Sequence, residues 1–239
     1  MSVNEQSVIV VAGAGGGAGG AMVRRLTAAG ATVIAADNSP ERAEQAASVA
    51  AEDAPGRAIP ASVDLLDFAA SRQWAADLEA EHGRVDGLVH LVGGWRGGKS
   101  FAETDLADWD QLHELLIRTT QHTSLAFEGA LTRSGHGRFA LISATAASAP
   151  TEGNAAYGAA KAAAEAWTLA LADGFKKHGA GAAATIFVIK ALLTDAMKAE
   201  KPDAKFTGYT HADDLADAVA GLWDASADDV NGTRIRLAP

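Results

Sequence analysis

The chain has 239 residues, 20 basic and 30 acidic side chains for a formal charge of −10, and no cysteine. This composition excludes a disulfide-stapled scaffold, a thiolate metal site and a cysteine nucleophile, and its acidity argues against nucleic acid or an anionic membrane surface as partner. Its 56 Ala and 25 Gly, about a third of the residues, predict close-packed helices and tight loops.

Apolar runs alternate with helical patterns from one end to the other. Ser7–Ala12 reads as a buried strand ending in a glycine cluster, and Gly17–Ala29 as a helix closed by Gly30. Ala31–Ala36 is a second strand, followed by a helix opened by Ser39 and Pro40 and running to about Asp53. Gly56–Ser62, Val85–Val92, Arg138–Ser143, Ala183–Ile189 and Thr233–Leu237 complete seven strands. Helices are expected over Asp67–His82, Ala107–Leu131, Asn154–Lys177 and Asp213–Trp223, with Phe68, Trp74, Ala75 and Leu78 on one stripe of the first. Continuous apolar strands are buried on both faces, so the pattern predicts a mainly parallel sheet with helices on each side. No linker composition divides residues 1–239, which read as one domain.

The cluster Gly13-Ala14-Gly15-Gly16-Gly17-Ala18-Gly19-Gly20 joins the first strand to the first helix. Backbone without side chains lets a pyrophosphate approach free N–H groups at the helix start, where the dipole favours anions. Asp37, at the end of the second strand, is placed to accept both hydroxyls of an adenosine ribose and to repel a 2′-phosphate. No Lys-Ser/Thr pair follows the glycines, which excludes a triphosphate-binding loop. The expected cofactor is therefore NAD, with NADP disfavoured.

Tyr157 and Lys161 stand four apart at the start of a long helix and share one face. An ammonium there lowers the phenol pKa and makes the tyrosine a usable acid or base. Together with Gly13-x-x-x-Gly17-x-Gly19, this pair resembles the short-chain dehydrogenase/reductase family along essentially the whole chain. The resemblance implies a doubly wound Rossmann-type domain and a set of roles. Gly13, Gly16, Gly17, Ala18 and Gly19 would hold the pyrophosphate, Asp64 and Leu65 flank the adenine, and Val92 and Gly93 line the inner ribose. Lys161 would hold that ribose, Tyr157 exchange a proton with the substrate, and Thr194 meet the carboxamide.

The family pattern also fails in places. Its Asn-Asn-Ala-Gly is His90-Leu91-Val92-Gly93 here, its helix asparagine aligns with Leu116, and its serine aligns with Ala144. Ser143 and Thr145 flank that position and are the candidates to replace the hydroxyl, as catalytic and substrate-binding residues respectively. The stretch Gly93-Gly94-Trp95-Arg96-Gly97-Gly98 looks like the loop of dihydropteridine reductases, a branch that also lacks the serine and asparagine. The region Thr194–Leu215 is similar too. In that branch NADH reduces an electrophilic quinonoid pterin, and Trp95 would stack on the flat ring.

The sequence thus predicts an oxidoreductase transferring hydride between NAD(H) and a small planar or carbonyl substrate. A ketone or 3-oxoacyl reductase using Ser143 or Thr145, and an NAD-binding protein without turnover, stand as alternatives. A substrate lid is expected at about residues 190–208. The seven histidines (82, 90, 113, 122, 136, 178 and 211) show no i, i+4 pair, so no metal is expected. Small residues at Ala155, Ala159, Ala163 and Ala166 predict helix-mediated pairing into a homodimer or homotetramer. Met1–Gln6 lacks a basic cluster, and no apolar run reaches about 18 residues, so a cytoplasmic chain without membrane contact is expected.

Overall fold

Seven parallel strands form the central sheet of the computed structural model, which describes residues 2–179 and 181–237. They are β1 (Val8–Ala12), β2 (Thr32–Asp37), β3 (Arg57–Ser62), β4 (Gly87–His90), β5 (Arg138–Ala144), β6 (Ala183–Ile189) and β9 (Arg234–Arg236). Their order across the sheet is β3-β2-β1-β4-β5-β6-β9. A separate parallel pair, β7 (Leu192–Leu193) and β8 (Thr210–His211), lies between β6 and the last helices in chain order.

The alternation along β1 explains the two-sided core. Ile9 and Val11 face one side, where they join Met22, Val23 and Leu26 of α1 (Gly19–Ala28) and Leu215 and Val219 of α8 (Ala212–Ala220). Val8 and Val10 face the other, against Leu78 of α3 (Phe68–His82), Phe127 of α5 (Thr119–Ser134) and Phe175 of α6 (Ala155–His178). Each large apolar side chain buried in this way contributes roughly 1.5–3 kcal/mol. The expected parallel sheet with helices on both faces is therefore what the chain forms.

Boundaries differ where local chemistry intervenes. α1 begins at Gly19 and not Gly17, because residues 13–18 are spent on the turn. α2 (Pro40–Ala47) opens as expected, with the Ser39 hydroxyl accepting from the Arg42 N–H, but stops well short of Asp53. β4 ends at His90, leaving Leu91 and Val92 as loop. The expected helix over 107–131 is α4 (Leu106–Leu112), a π-helical turn (His113–Arg118) and α5. The segment expected as a lid contains β7 and α7 (Asp195–Glu200), neither of which the apolar pattern had shown. A short α9 (Ala227–Val230) also went unread.

One topological feature positions everything that follows. From β1 the chain runs outward to β2 and β3, then returns to place β4 on the other side of β1. The carboxyl ends of β1 and β4 therefore diverge and leave a crevice, the position where open parallel sheets take ligands.

Candidate active site

Two adjoining cavities fill that crevice and share Gly16, Leu91 and Gly93. The smaller, about 310 Å³, runs over Gly13 and Gly16 to Asp37, Asp64 and Leu65. The larger, about 670 Å³, is lined by Gly17, Trp95, Ser143, Thr145, Tyr157 and Lys161 among others. Val92 faces the first cavity and Ala18 the second. The residues singled out in the sequence are thus brought to one continuous cleft, with two exceptions. Gly19 is buried behind the turn, where a β-carbon would overlap the Ala14 carbonyl oxygen. Thr194 stands across from Gly17 and spends its hydroxyl on the Met197 N–H at 3.2 Å, capping α7.

The glycine turn is a cradle that side chains would fill. Gly13 sits at φ +81, and a β-carbon there would come 2.8 Å from the Val92 nitrogen. One on Gly15 would lie 2.6 Å from the Arg42 β-carbon and 2.7 Å from Asp37 Oδ2. Gly16 and Gly17 stay exposed along the cleft. This open, side-chain-free turn at the start of α1 fits an anionic phosphate group.

Asp37 is 8% exposed and heavily engaged. Its Oδ2 accepts from the Gly15 N–H at 3.1 Å, while Oδ1 accepts from the Ser39 N–H at 3.1 Å and from Arg42 Nε and Nη2 at 2.9 and 2.7 Å. Arg42 lines the same cavity. Nothing in the periodicity marked it, because its side chain belongs to an amphipathic, mostly polar helix.

At the other end, Tyr157, Lys161 and Glu165 follow one another up one face of α6. Lys161 is buried and donates to the Ile142 carbonyl at 2.7 Å, with Nζ 5.9 Å from the centre of the Tyr157 ring. Burial lowers its pKa to about 8, partly opposed by the Glu165 carboxylate. Burial also pushes the Tyr157 phenol up. The expected lowering of Tyr157 by Lys161 is therefore not what this arrangement produces. Desolvation is the cause of the rise, and the Lys161 ammonium is turned toward the Ile142 carbonyl.

Ser143 donates its hydroxyl proton to Glu165 Oε1 at 2.6 Å. Arg234 of β9 holds the same carboxylate, with Nε 2.9 Å from Oε2 and Nη2 3.1 Å from Oε1. A hydroxyl whose proton is committed to a carboxylate is a poor donor to a substrate carbonyl. Glu165 and Arg234 are 69 residues apart and only the fold reveals their pairing. Leu116 is buried in the π-helical turn beside Leu112, Ala160 and Tyr157, so an apolar cluster stands where the family asparagine was sought.

Trp95 is 62% exposed on the wall of the larger cavity, and Gly97 lies against its ring. The Gly98 N–H donates to the Gly153 carbonyl at 2.9 Å, pinning this loop to the approach to α6. His90, by contrast, is fully enclosed between the Thr119 and Thr123 hydroxyls, both 3.2 Å from its ring nitrogens. Burial, reinforced by Lys161, lowers its pKa to about 3, so it is a neutral structural residue. On the rim of the α7 segment, His211 bridges Asp195 Oδ1 at 3.1 Å and Asp213 Oδ2 at 3.5 Å. These three side chains cluster between α7 and α8, with both carboxylates exposed and His211 half-buried.

Sheet order, crevice and glycine cradle define a doubly wound protein of the Rossmann type. Residues 7–204 match the family model described as short chain dehydrogenase, and the chain belongs to that family of oxidoreductases. An oxidoreductase of Mycobacterium tuberculosis, itself uncharacterized, is 32% identical over 163 residues. That alignment takes in 66% of this chain but only 62% of the relative's length. An NAD+-bound xylitol dehydrogenase superposes with a TM-score of 0.87 at 18% identity, covering 100% of this chain and 99% of the other. A metagenomic short-chain oxidoreductase in complex with NADP superposes with a TM-score of 0.79 at 26% identity, covering 99% and 98%.

Proposed function

We propose that this chain is a nicotinamide-dependent oxidoreductase that favours NAD(H) and reduces a small planar or carbonyl substrate in the larger cavity. The observation that carries the reading is that Tyr157 and Lys161 line that cavity, which opens at Gly16 and Gly93 onto the glycine cradle and Asp37. Gly13, Gly16 and Gly17 would hold the pyrophosphate, Asp37 the adenosine ribose, and Asp64 and Leu65 the adenine. Val92, Gly93 and Lys161 would hold the inner ribose. The bound dinucleotide supplies a hydride. Tyr157 supplies the proton from its phenol oxygen, so that the substrate gains two electrons and two hydrogens in total. Burial raises its pKa, so the phenol carries its proton at neutral pH.

The dihydropteridine reductase-like reading is supported by what the cavity lacks. Ser143 is turned to Glu165 and Leu116 is apolar, so neither position of the family's serine and asparagine pair offers a free donor to a carbonyl. An already electrophilic substrate does not need that help. Exposed Trp95 supplies a flat apolar wall for it. Mixing the protein with NADH and a quinonoid dihydropterin should give oxidation of NADH well above the spontaneous rate. Absence of turnover removes the pterin reading. Tyr157→Phe should lower turnover by about a hundredfold or more with little change in dinucleotide affinity. Unchanged turnover would end its role as proton donor.

A second reading, a general ketone reductase, is favoured by one observation: Thr145 brings a further side-chain hydroxyl to the cavity that Ser143 and Tyr157 line. If it applies, Thr145→Val should cost ketone reduction at least about tenfold, more than Ser143→Ala does. The segment 190–208 would close over substrate, and outward-facing surfaces of α5 and α6 would pair copies of the chain.

A further inference from the structure

The larger cavity differs in charge from the rest of this acidic chain. Of the 30 acidic side chains, none among the described residues lines it, while two lysines, Lys161 and Lys190, do. We infer that Lys190 is the seat of an anion, and that the substrate reduced in this cavity carries a carboxylate, separate from its reducible group, that pairs with Lys190. This rests on the reading of that cavity as the substrate site beside a bound dinucleotide.

The two lysines are not equivalent. Lys161 is buried, donates to the Ile142 carbonyl at 2.7 Å and has Glu165 one helical turn away. Its place in the proposed function is at the inner ribose. Lys190 is exposed and follows directly on β6, whose seven residues are all buried, so a rigid strand fixes where its side chain starts. Among the described residues its ammonium makes no ion pair, and its one hydrogen bond is to the Thr207 carbonyl at 3.5 Å. That length is at the outer limit of a useful bond, and one carbonyl leaves two of the three N–H donors open.

The direction of the side chain separates a substrate anion from the pyrophosphate of the dinucleotide. A β-carbon on Gly17 of the cradle would meet Leu192 Cδ2 at 3.1 Å and Thr194 Cγ2 at 3.4 Å, and nothing of Lys190. Lys190 runs instead toward the far end of segment 190–208. A β-carbon on Gly208 would come 3.2 Å from Lys190 Cδ and 3.6 Å from its Nζ. The side chain therefore spans from the end of β6 to the turn before β8, along the segment that would close over substrate. Trp95, Ile142, Leu192 and Leu215 give the cavity an apolar wall, and beside such a wall an ammonium attracts a carboxylate more strongly than in open water. A neutral substrate leaves Lys190 on the Thr207 carbonyl. An anionic one gains a charge-assisted hydrogen bond.

The test is calorimetric titration of 2-naphthoate and of its neutral carboxamide, 2-naphthamide, into the full chain saturated with NADH. Naphthoate should bind at least about tenfold more tightly than naphthamide, and added salt should shrink that margin. Lys190→Met should abolish the margin by weakening naphthoate alone, and Lys190→Arg should keep most of it. NADH affinity should move by less than about twofold in either variant. Circular dichroism confirms that each is folded. Equal affinity for the two probes in the unaltered chain, binding of neither, or a margin that survives Lys190→Met overturns the inference and leaves the dinucleotide reading intact. Loss of NADH affinity by about tenfold in Lys190→Met also overturns it, and gives Lys190 to the pyrophosphate. If NADH itself does not bind the unaltered chain, the dinucleotide reading falls and this one with it.

Discussion

Three residues in or behind the cleft show how far environment overrides type. His90 stands where a strand-end histidine invites a catalytic role, yet two threonine hydroxyls enclose it and burial lowers its pKa to about 3 from 6.5. The unfolded chain therefore binds more protons than the folded one between those two values. Stability should fall as pH drops from about 6.5 toward 3, and His90→Asn should flatten that limb in denaturant titrations run across the range. Ser143 was a candidate hydroxyl by spacing alone, and Glu165 decides where its proton goes. Asp37 was read as a bare acid, and Arg42 changes what it presents. The glycines, Asp37, Tyr157 and Lys161 were legible because their chemistry is written in short, local spacings. Glu165 with Arg234, and His211 with Asp195, were not legible, because each pair depends on which strands and helices become neighbours.

At the level of elements, apolar runs were enough to find the seven strands of the sheet, since a central parallel strand is buried on both faces, but their order across the sheet came only from the fold. The pattern failed where structure is made by hydrogen bonding and not by burial. The π-helical turn His113–Arg118 interrupts an otherwise continuous helical stripe without changing its composition. β7 and β8 are two residues each, too short for any period to register. Glycines separate the same two kinds of cause. Gly19 starts α1 where a β-carbon would strike the Ala14 carbonyl, so Gly19→Ala should destabilise by about 2 kcal/mol or more and damage the cradle. Gly174 lies inside α6 with nothing within 4 Å, so Gly174→Ala should stabilise by about 0.5–1 kcal/mol. Thermal melts of the two variants should move in opposite directions.

For the whole molecule, the outer surface of α5 and α6 is the place to look for assembly. Leu125 is 55% and Leu169 41% exposed, and Ala159, Ala163 and Ala166 face outward on α6. Light scattering coupled to sizing should give a dimer or tetramer, and Leu169→Glu should shift it toward the monomer, because a charge placed in such a contact loses water without gaining a partner. A chain that remains monomeric at micromolar concentration would refute this. The margins of the sheet carry a different instruction. β3 exposes Arg57 and holds Pro60, which has no N–H to lend a neighbour, while β9 presents Arg234 and Arg236 on either side of Ile235. Unprotected margins recruit further strands without limit and end in fibrils. With both margins blunted in this way, growth in that direction is closed, and copies of the chain that meet can join through their helices in a finite, countable number.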